Sequence, residues 1–300
     1  MRLGAAELHE RAAQLHALLS PCRLCPRQCG SLRGAGARGF CQLGPGLRVF
    51  CTNLHHGEEP PLSGTRGSGT VFFSGCNLRC VFCQNFSFSQ YGNGEDLTPK
   101  ELAARMLELQ QRGAHNINWV TPSAHAAPAV EALALARDAG LSIPLVYNCS
   151  GYESVEVLQV LDGVVDIYLP DAKYAACEPA ERFSGAPDYP AINRQAIREM
   201  WRQAGPLQLD EHGVAQRGLL VRHLVLPHDL AGTREVLRML HDECGSEVGI
   251  SLMHQYFPAH RARQFPEIAR RITWEEYEAA LQALDEYAFT TVYIQEWDDE

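Results

Sequence analysis

Thr70-Val71-Phe72-Phe73-Ser74-Gly75-Cys76-Asn77-Leu78-Arg79-Cys80-Val81-Phe82-Cys83 joins an apolar run to three closely spaced cysteines. The β-branched and aromatic start reads as a buried strand, and Ser74-Gly75 ends it. Thr98-Pro99-Lys100-Glu101 then opens a helix, with Thr98 as its cap, running to Gly113. From here strands and helices alternate. Strands are expected at 117–121, 143–148, 164–169, 219–226 and 248–253, with a last one at 290–295. Helices are expected at 126–139, 154–161, 193–203, 233–244 and 274–287, the first closed by Gly140 and the last capped by Thr273. Buried apolar strands alternating with helices imply βα units on a parallel sheet. The expected class is α/β, a partial (β/α)6 TIM-like barrel over 70–300 preceded by a cysteine-rich extension over 1–69. Periodicity alone leaves a doubly wound sheet open as the alternative.

The 300 residues are 46% apolar and 21% charged, which excludes wholesale disorder. The formal net charge of −10 does not suit a nucleic-acid binder, whose phosphate contacts need a basic surface. No run approaches the ~18 apolar residues of a membrane span. Glu7, Glu10 and Arg11 interrupt any secretory leader, and Leu8, Leu15, Leu18 and Leu19 suggest an amphipathic helix packed on the body. A cytoplasmic protein is expected, and in a reduced compartment its 11 cysteines read as ligands or packing residues rather than disulfides. Between Pro21 and Phe50, Arg23, Arg27, Arg33, Arg38 and Arg48 accompany four cysteines with no acid, a pattern that fits local neutralisation of thiolates. The acidic tail, Glu296 to Glu300, is expected to be solvated.

Cys76-x-x-x-Cys80-x-x-Cys83 follows the first regular strand, and a parallel barrel keeps its chemistry at the strands' C-terminal ends. Three soft thiolates on one loop can hold three irons of a four-iron cluster and leave the fourth open. This spacing, with the aromatic Phe82 before the last cysteine, resembles the radical S-adenosylmethionine (SAM) enzymes. Further segments resemble their pyruvate formate-lyase activating enzyme-like (PflX-type) branch. They include His56-Gly57-Glu58-Glu59-Pro60-Pro61, Asn118-Trp119-Val120-Thr121-Pro122, Tyr147-Asn148-Cys149-Ser150-Gly151, Asp171-Ala172-Lys173 and Arg222-His223-Leu224. The branch label carries no substrate with it.

The resemblance implies a 4Fe-4S cluster on Cys76, Cys80 and Cys83 that cleaves SAM reductively to methionine and a 5′-deoxyadenosyl radical, which takes hydrogen from a substrate. Phe82 is then expected on the adenine side. Where such enzymes often carry Gly-Gly-Glu, this chain has Asn118 to Pro122, so Asn118 and Thr121 are assigned to the methionyl amine. Asn148 and Ser150 are candidates for ribose or carboxylate contacts, and Asp171 and Lys173 match the Asp-x-Lys segment of the activating enzymes. A buried Arg222 would need an anion. Met253 and Gln255 are expected at the substrate end. The loop of His55, His56, Glu58 and Glu59 is expected to shield the cluster or touch substrate.

Cys22, Cys25, Cys29 and Cys41 form a second possible ligand set. Four thiolates suit a closed zinc site or a second iron–sulfur cluster equally, and spacing does not choose. Expected partners are an electron donor such as flavodoxin or ferredoxin and, in an activase-like role, a protein substrate. The competing reading is an iron–sulfur electron-transfer or partner-binding protein without SAM chemistry. It would require a fourth thiol at the cluster, from Cys51 or Cys149 through the fold.

Overall fold

A computed structural model describes residues 3–297; Asp298, Asp299 and Glu300, the end of the acidic tail, lie outside the described residues. The strands are β1 (Leu47–His55), β2 (Ser68–Phe73), β3 (Glu95–Leu97), β4 (Ile117–Val120), β5 (Leu145–Cys149), β6 (Ile167–Pro170), β7 (Gln208–Leu209), β8 (Ala215–Leu224), β9 (Gly249–Met253) and β10 (Thr291–Ile294). They share one sheet in the order β10-β9-β8-β6-β5-β4-β2-β1-β3, with β7 paired to β8. From β2 to β10 every pairing along this path is parallel, and β1, β3 and β7 pair antiparallel. The strand order climbs in one direction without the central reversal of a doubly wound sheet, and its edges, β10 and β3, do not meet. The fold is a partial barrel, as expected, with six βα strands from β2 to β9 and β10 added.

Period-two alternation sorts the strand residues onto two faces. Val71, Trp119, Tyr147, Tyr168 and Leu219 are register partners across five strands, all fully buried under the helices. The other face holds a small apolar plug of Leu62, Val146, Ile167, Leu169 and Leu220 inside the barrel. Asn148 and Arg222 follow Val146 and Leu220 at even spacing, so they emerge above this plug at the C-terminal ends.

Helix Ala126–Asp138 is buried on nearly all sides because helix Ala5–Ala17 covers its outer face with Leu8, Ala12 and Leu15. This explains its Ala-rich composition without a polar stripe. Thr98 and Thr273 cap their helices as expected, each accepting a hydrogen bond from the backbone three residues on. Several elements have no counterpart in the sequence reading, β1 and helix Cys177–Ser184 among them. β1 hides its strand character because only alternate positions at its start are buried, with Arg48, Cys51, Thr52 and Asn53 interspersed. Helix Cys177–Ser184 is short, anchored by Pro179, Ala180 and Phe183. No helix among the described residues is long and apolar enough to cross a membrane.

Candidate active site

The loop after β2 carries Cys76, Cys80 and Cys83 along one wall of a cavity of about 230 Å³ at the C-terminal ends of the parallel strands. Gly75 starts the loop with φ +77°, and a Cβ there would stand 2.8 Å from the Cys41 carbonyl oxygen and from Leu43, so only glycine permits this approach. Helix Cys177–Ser184 holds the loop's other side: the Arg79 and Val81 amides donate to the Ser184 and Phe183 carbonyls at 3.1 and 2.8 Å. Ser184 Oγ donates to Cys80 Sγ at 3.0 Å, and Cys83 Sγ meets Ser89 Oγ at 3.2 Å. Burial pushes all three thiols above the ordinary range, Cys83 to about 11, with neighbouring sulfurs adding to the rise at Cys76 and Cys83. They ionise together only beside a compensating cation.

Opposite the thiols stands a charged network. Asp171 Oδ2 accepts from Lys173 Nζ at 2.5 Å and Oδ1 from Arg222 Nε at 2.8 Å, while Arg222 Nη2 donates to Asn148 Oδ1 at 2.7 Å. Burial works against the Asp171 carboxylate, but Arg222 and Lys173 hold it below its ordinary range. Burial likewise opposes the Lys173 ammonium, and Asp171 with Cys80 keeps it raised. The anion expected opposite Arg222 is therefore supplied within the chain by Asp171. His223, the next residue on β8, faces the other way, between the Ala172 carbonyl and Thr233.

Phe82, Thr121, Asn148, Ser150, Asp171, Lys173, Met253 and Gln255 all line the cavity with the thiols. Phe82 meets Tyr256 and Tyr174 edge-on. Thr121 takes φ +62°, a left-handed conformation costly for a β-branched residue and typical of functional sites. Asn118 does not line the cavity; it is fully buried lower in the barrel, and neither amide atom has a hydrogen-bond partner. His55 packs edge-on against Phe72 and His56 is exposed, so neither joins Glu58 and Glu59. Cys149 borders the cavity, but its thiol neighbours the Glu153 carboxyl, and Cys51 on β1 lies outside.

The profile of the radical SAM superfamily matches residues 70–175. Among curated proteins, the uncharacterized protein MJ0674 of Methanocaldococcus jannaschii is 32% identical over 284 residues, which are 91% of this chain and 76% of that protein. The chain belongs to the radical SAM superfamily. A second relative, the uncharacterized protein MJ0808 of the same organism, is 26% identical over 157 residues, 47% of this chain and 46% of its own length. Among solved structures, the radical SAM fold is similar to that of HydG, a maturase of the [FeFe]-hydrogenase, with a TM-score of 0.50 and 16% identity over 73% of this chain and 49% of HydG.

Membership in the radical SAM superfamily implies a 4Fe-4S cluster and SAM, and the cavity suits both. Among the described residues, no three Cys, His, Asp or Glu side chains close on a single point. Cys76, Cys80 and Cys83 instead border a shared space, as ligands to different irons of one cluster must. Asp171, Lys173 and Arg222 present both signs of charge to the same space, which suits a zwitterion.

The N-terminal thiols lie directly beside this radical SAM loop. Arg27 Nε donates to the Asn77 carbonyl at 2.9 Å, its guanidinium lying over the Phe40 and Tyr152 rings, and Arg79 Nη2 donates to the Phe40 carbonyl at 2.6 Å. Gly39 leaves a cradle between two sulfurs: a Cβ there would stand 3.3 Å from Cys29 Sγ and 3.5 Å from Cys41 Sγ. Arg33, 1% exposed, donates to Cys22 Sγ at 3.8 Å and to the Gly44 and Ala124 carbonyls. Of the arginines in this segment, Arg33 is held against a sulfur, while Arg23 and Arg48 pair with Glu156 and Asp96 at the surface.

Proposed function

We propose that Cys76, Cys80 and Cys83 hold a four-iron cluster with one iron left open, and that the chain uses it on SAM to take hydrogen from a substrate. When bound, these groups supply one-electron cleavage of the SAM sulfonium to methionine and a 5′-deoxyadenosyl radical. The observation that carries this reading is the company the three thiols keep. They share a cavity with the Asp171–Lys173–Arg222 network, and the further cysteine that borders it, Cys149, has its thiol beside the Glu153 carboxyl. A closed electron-transfer cluster would need that fourth thiol.

In this reading Asp171 receives the methionyl ammonium and Lys173 its carboxylate, while Arg222 holds Asp171 in place. Asn148 fixes Arg222, while Ser150 and Thr121 contact the remaining polar edge. Phe82, held by Tyr174 and Tyr256, covers an aromatic face and excludes water. The match of Asp171-Ala172-Lys173 to the activating enzymes supports a protein substrate in an activase-like role, with flavodoxin or ferredoxin as electron donor. The four thiols Cys22, Cys25, Cys29 and Cys41 do not close on a single point either, so of zinc and a second iron–sulfur cluster they suit the cluster better, supporting the loop that presses on Gly75.

The test is anaerobic. The chain is reconstituted with iron and sulfide, SAM and dithionite are added, and 5′-deoxyadenosine is measured beside iron content. SAM- and reductant-dependent deoxyadenosine is expected, falling at least 100-fold in Cys80→Ala. Undiminished cleavage in that variant would sink the ligand assignment. A fully loaded cluster whose paramagnetic spectrum ignores SAM would favour the electron-transfer reading.

A further inference from the structure

Arg222 also borders a second cavity, of about 120 Å³, several times the ~10–15 Å³ that one water requires. Its wall is built from Glu58 and Glu59, Ser251 on β9, and Tyr293 and Gln295 at the open β10 edge. The two glutamates line this cavity and not the one that holds the thiols. The Glu59 side chain is 8% exposed; Oε1 accepts from Ser251 Oγ at 3.3 Å and lies 3.9 Å from Arg222 Nε, while Oε2 has no hydrogen-bond partner. Glu58 Oε2 makes a long contact with Asn148 Nδ2, 3.5 Å, and lies 3.8 Å from Arg222 Nη1, and the Asn118 amide neighbours the same carboxyl. Arg222 is already committed to Asp171 and Asn148 at 2.8 and 2.7 Å. The buried group therefore sets Glu58, Glu59 and Asp171 against two cations, Arg222 and Lys173. An acceptor oxygen buried without a donor is costly unless a ligand supplies one. Burial first, with Glu59 beside it, lifts Glu58 to about 7 against the pull of Arg222.

We propose that this cavity binds a cationic group of the substrate, an alkylammonium or guanidinium, with Glu59 Oε2 as its acceptor. The inference rests on the radical SAM reading for its placement: the cation sits across Arg222 from the thiols, so the rest of the substrate extends towards them. Such a group brings the hydrogen-bond donors and the positive charge that the carboxyls lack.

The experiment uses the reconstituted full chain and equilibrium dialysis with n-butylammonium chloride and with 1-butanol, its neutral counterpart. Butylammonium should bind wild type at least tenfold more tightly. Glu59→Gln should remove that preference and Glu59→Asp should keep most of it. SAM affinity, read from the paramagnetic spectrum of the reduced cluster, should change less than twofold in both. Equal binding of the two probes by wild type, which involves no variant, would overturn the proposal. So would an unchanged preference in Glu59→Gln, tighter binding of Mn²⁺ than of butylammonium at Glu59, or a parallel loss of SAM affinity, which would make SAM's own ammonium the cation. Failure of wild type to bind SAM would sink the radical SAM reading while leaving the two-probe comparison intact.

Discussion

Replacing Glu58 by Gln should leave the protein more stable at pH 7.5 and little changed near pH 4.5. The Glu58 side chain is 8% exposed. Burial lifts its carboxyl from the ordinary 4.5 to about 7 despite the pull of Arg222, and Glu59 adds to the rise. Between those two pH values the folded chain keeps a proton that the unfolded chain has released. The folded state binds more protons there, so stability falls as pH rises. The gap between 4.5 and about 7, at ~1.4 kcal/mol per pH unit, amounts to roughly 3 kcal/mol. Gln cannot ionise, so the variant escapes that loss. The assay is urea unfolding of the metal-free, reduced protein, followed by far-UV circular dichroism from pH 4.5 to 7.5. Glu153, buried beside Ser123 and Tyr147, is lifted to about 7 in the same direction, so Glu153→Gln provides a second buried carboxyl for comparison. A stability difference between Glu58→Gln and wild type that stays constant within 0.5 kcal/mol would refute the reasoning. A difference of opposite sign, with the variant weaker at high pH, would mean that Arg222 holds Glu58 ionised.

Asp171→Asn removes the carboxylate shared by two half-buried cations; breaking a buried group of this kind costs about 3–5 kcal/mol, and with these side chains half-buried and Glu58 and Glu59 still near Arg222, the lower end is expected as a reduced urea midpoint. Wild type should also lose this stabilisation below about pH 4, because a carboxylate held low in the folded state is protonated first in the unfolded chain. A variant with an unchanged midpoint at pH 7 would contradict the network. Gly75→Ala places a side chain at φ +77°, 2.8 Å from the Cys41 carbonyl oxygen and Leu43, and should cost more than about 2 kcal/mol and lower the iron retained on reconstitution. Full iron loading at wild-type stability would show that the two cysteine loops do not depend on each other.

What the sequence revealed follows from how local each constraint is. Cys76, Cys80 and Cys83 lie within eight residues, after a strand recognisable from its own composition. Asp171 and Lys173 are two apart on an extended segment, so their joint presentation was also legible. The carboxyl cluster was not. Glu59 meets Ser251 across 192 residues, and Glu58 meets Asn148 across 90, so nothing near Glu58-Glu59 in the sequence distinguishes a buried pair from a solvated turn. β1 escaped for a related reason. Its hydrogen-bond partner β2 is plainly a strand, but β1 is half exposed and lacks the continuous apolar run that a buried strand shows.

Parity marks the limit most sharply. Alternation dictates that of two adjacent residues at a strand end, one faces the barrel interior and the other the helices, yet it does not say which. Register across β4, β5 and β6 sets Tyr147 between Trp119 and Tyr168 on the helix side, which turns Asn148 inward to Arg222 and sends the Cys149 thiol to Glu153. A shift of one residue in β5 would exchange the two and turn a fourth thiol into the cavity. It would also strand the Asn148 amide among the helices and expose the Tyr147 ring to the polar side of the barrel. The apolar row of Val71, Trp119, Tyr147, Tyr168 and Leu219, buried on five strands at once, resists that shift. The packing that fixes the sheet therefore also sets how many thiols reach the site.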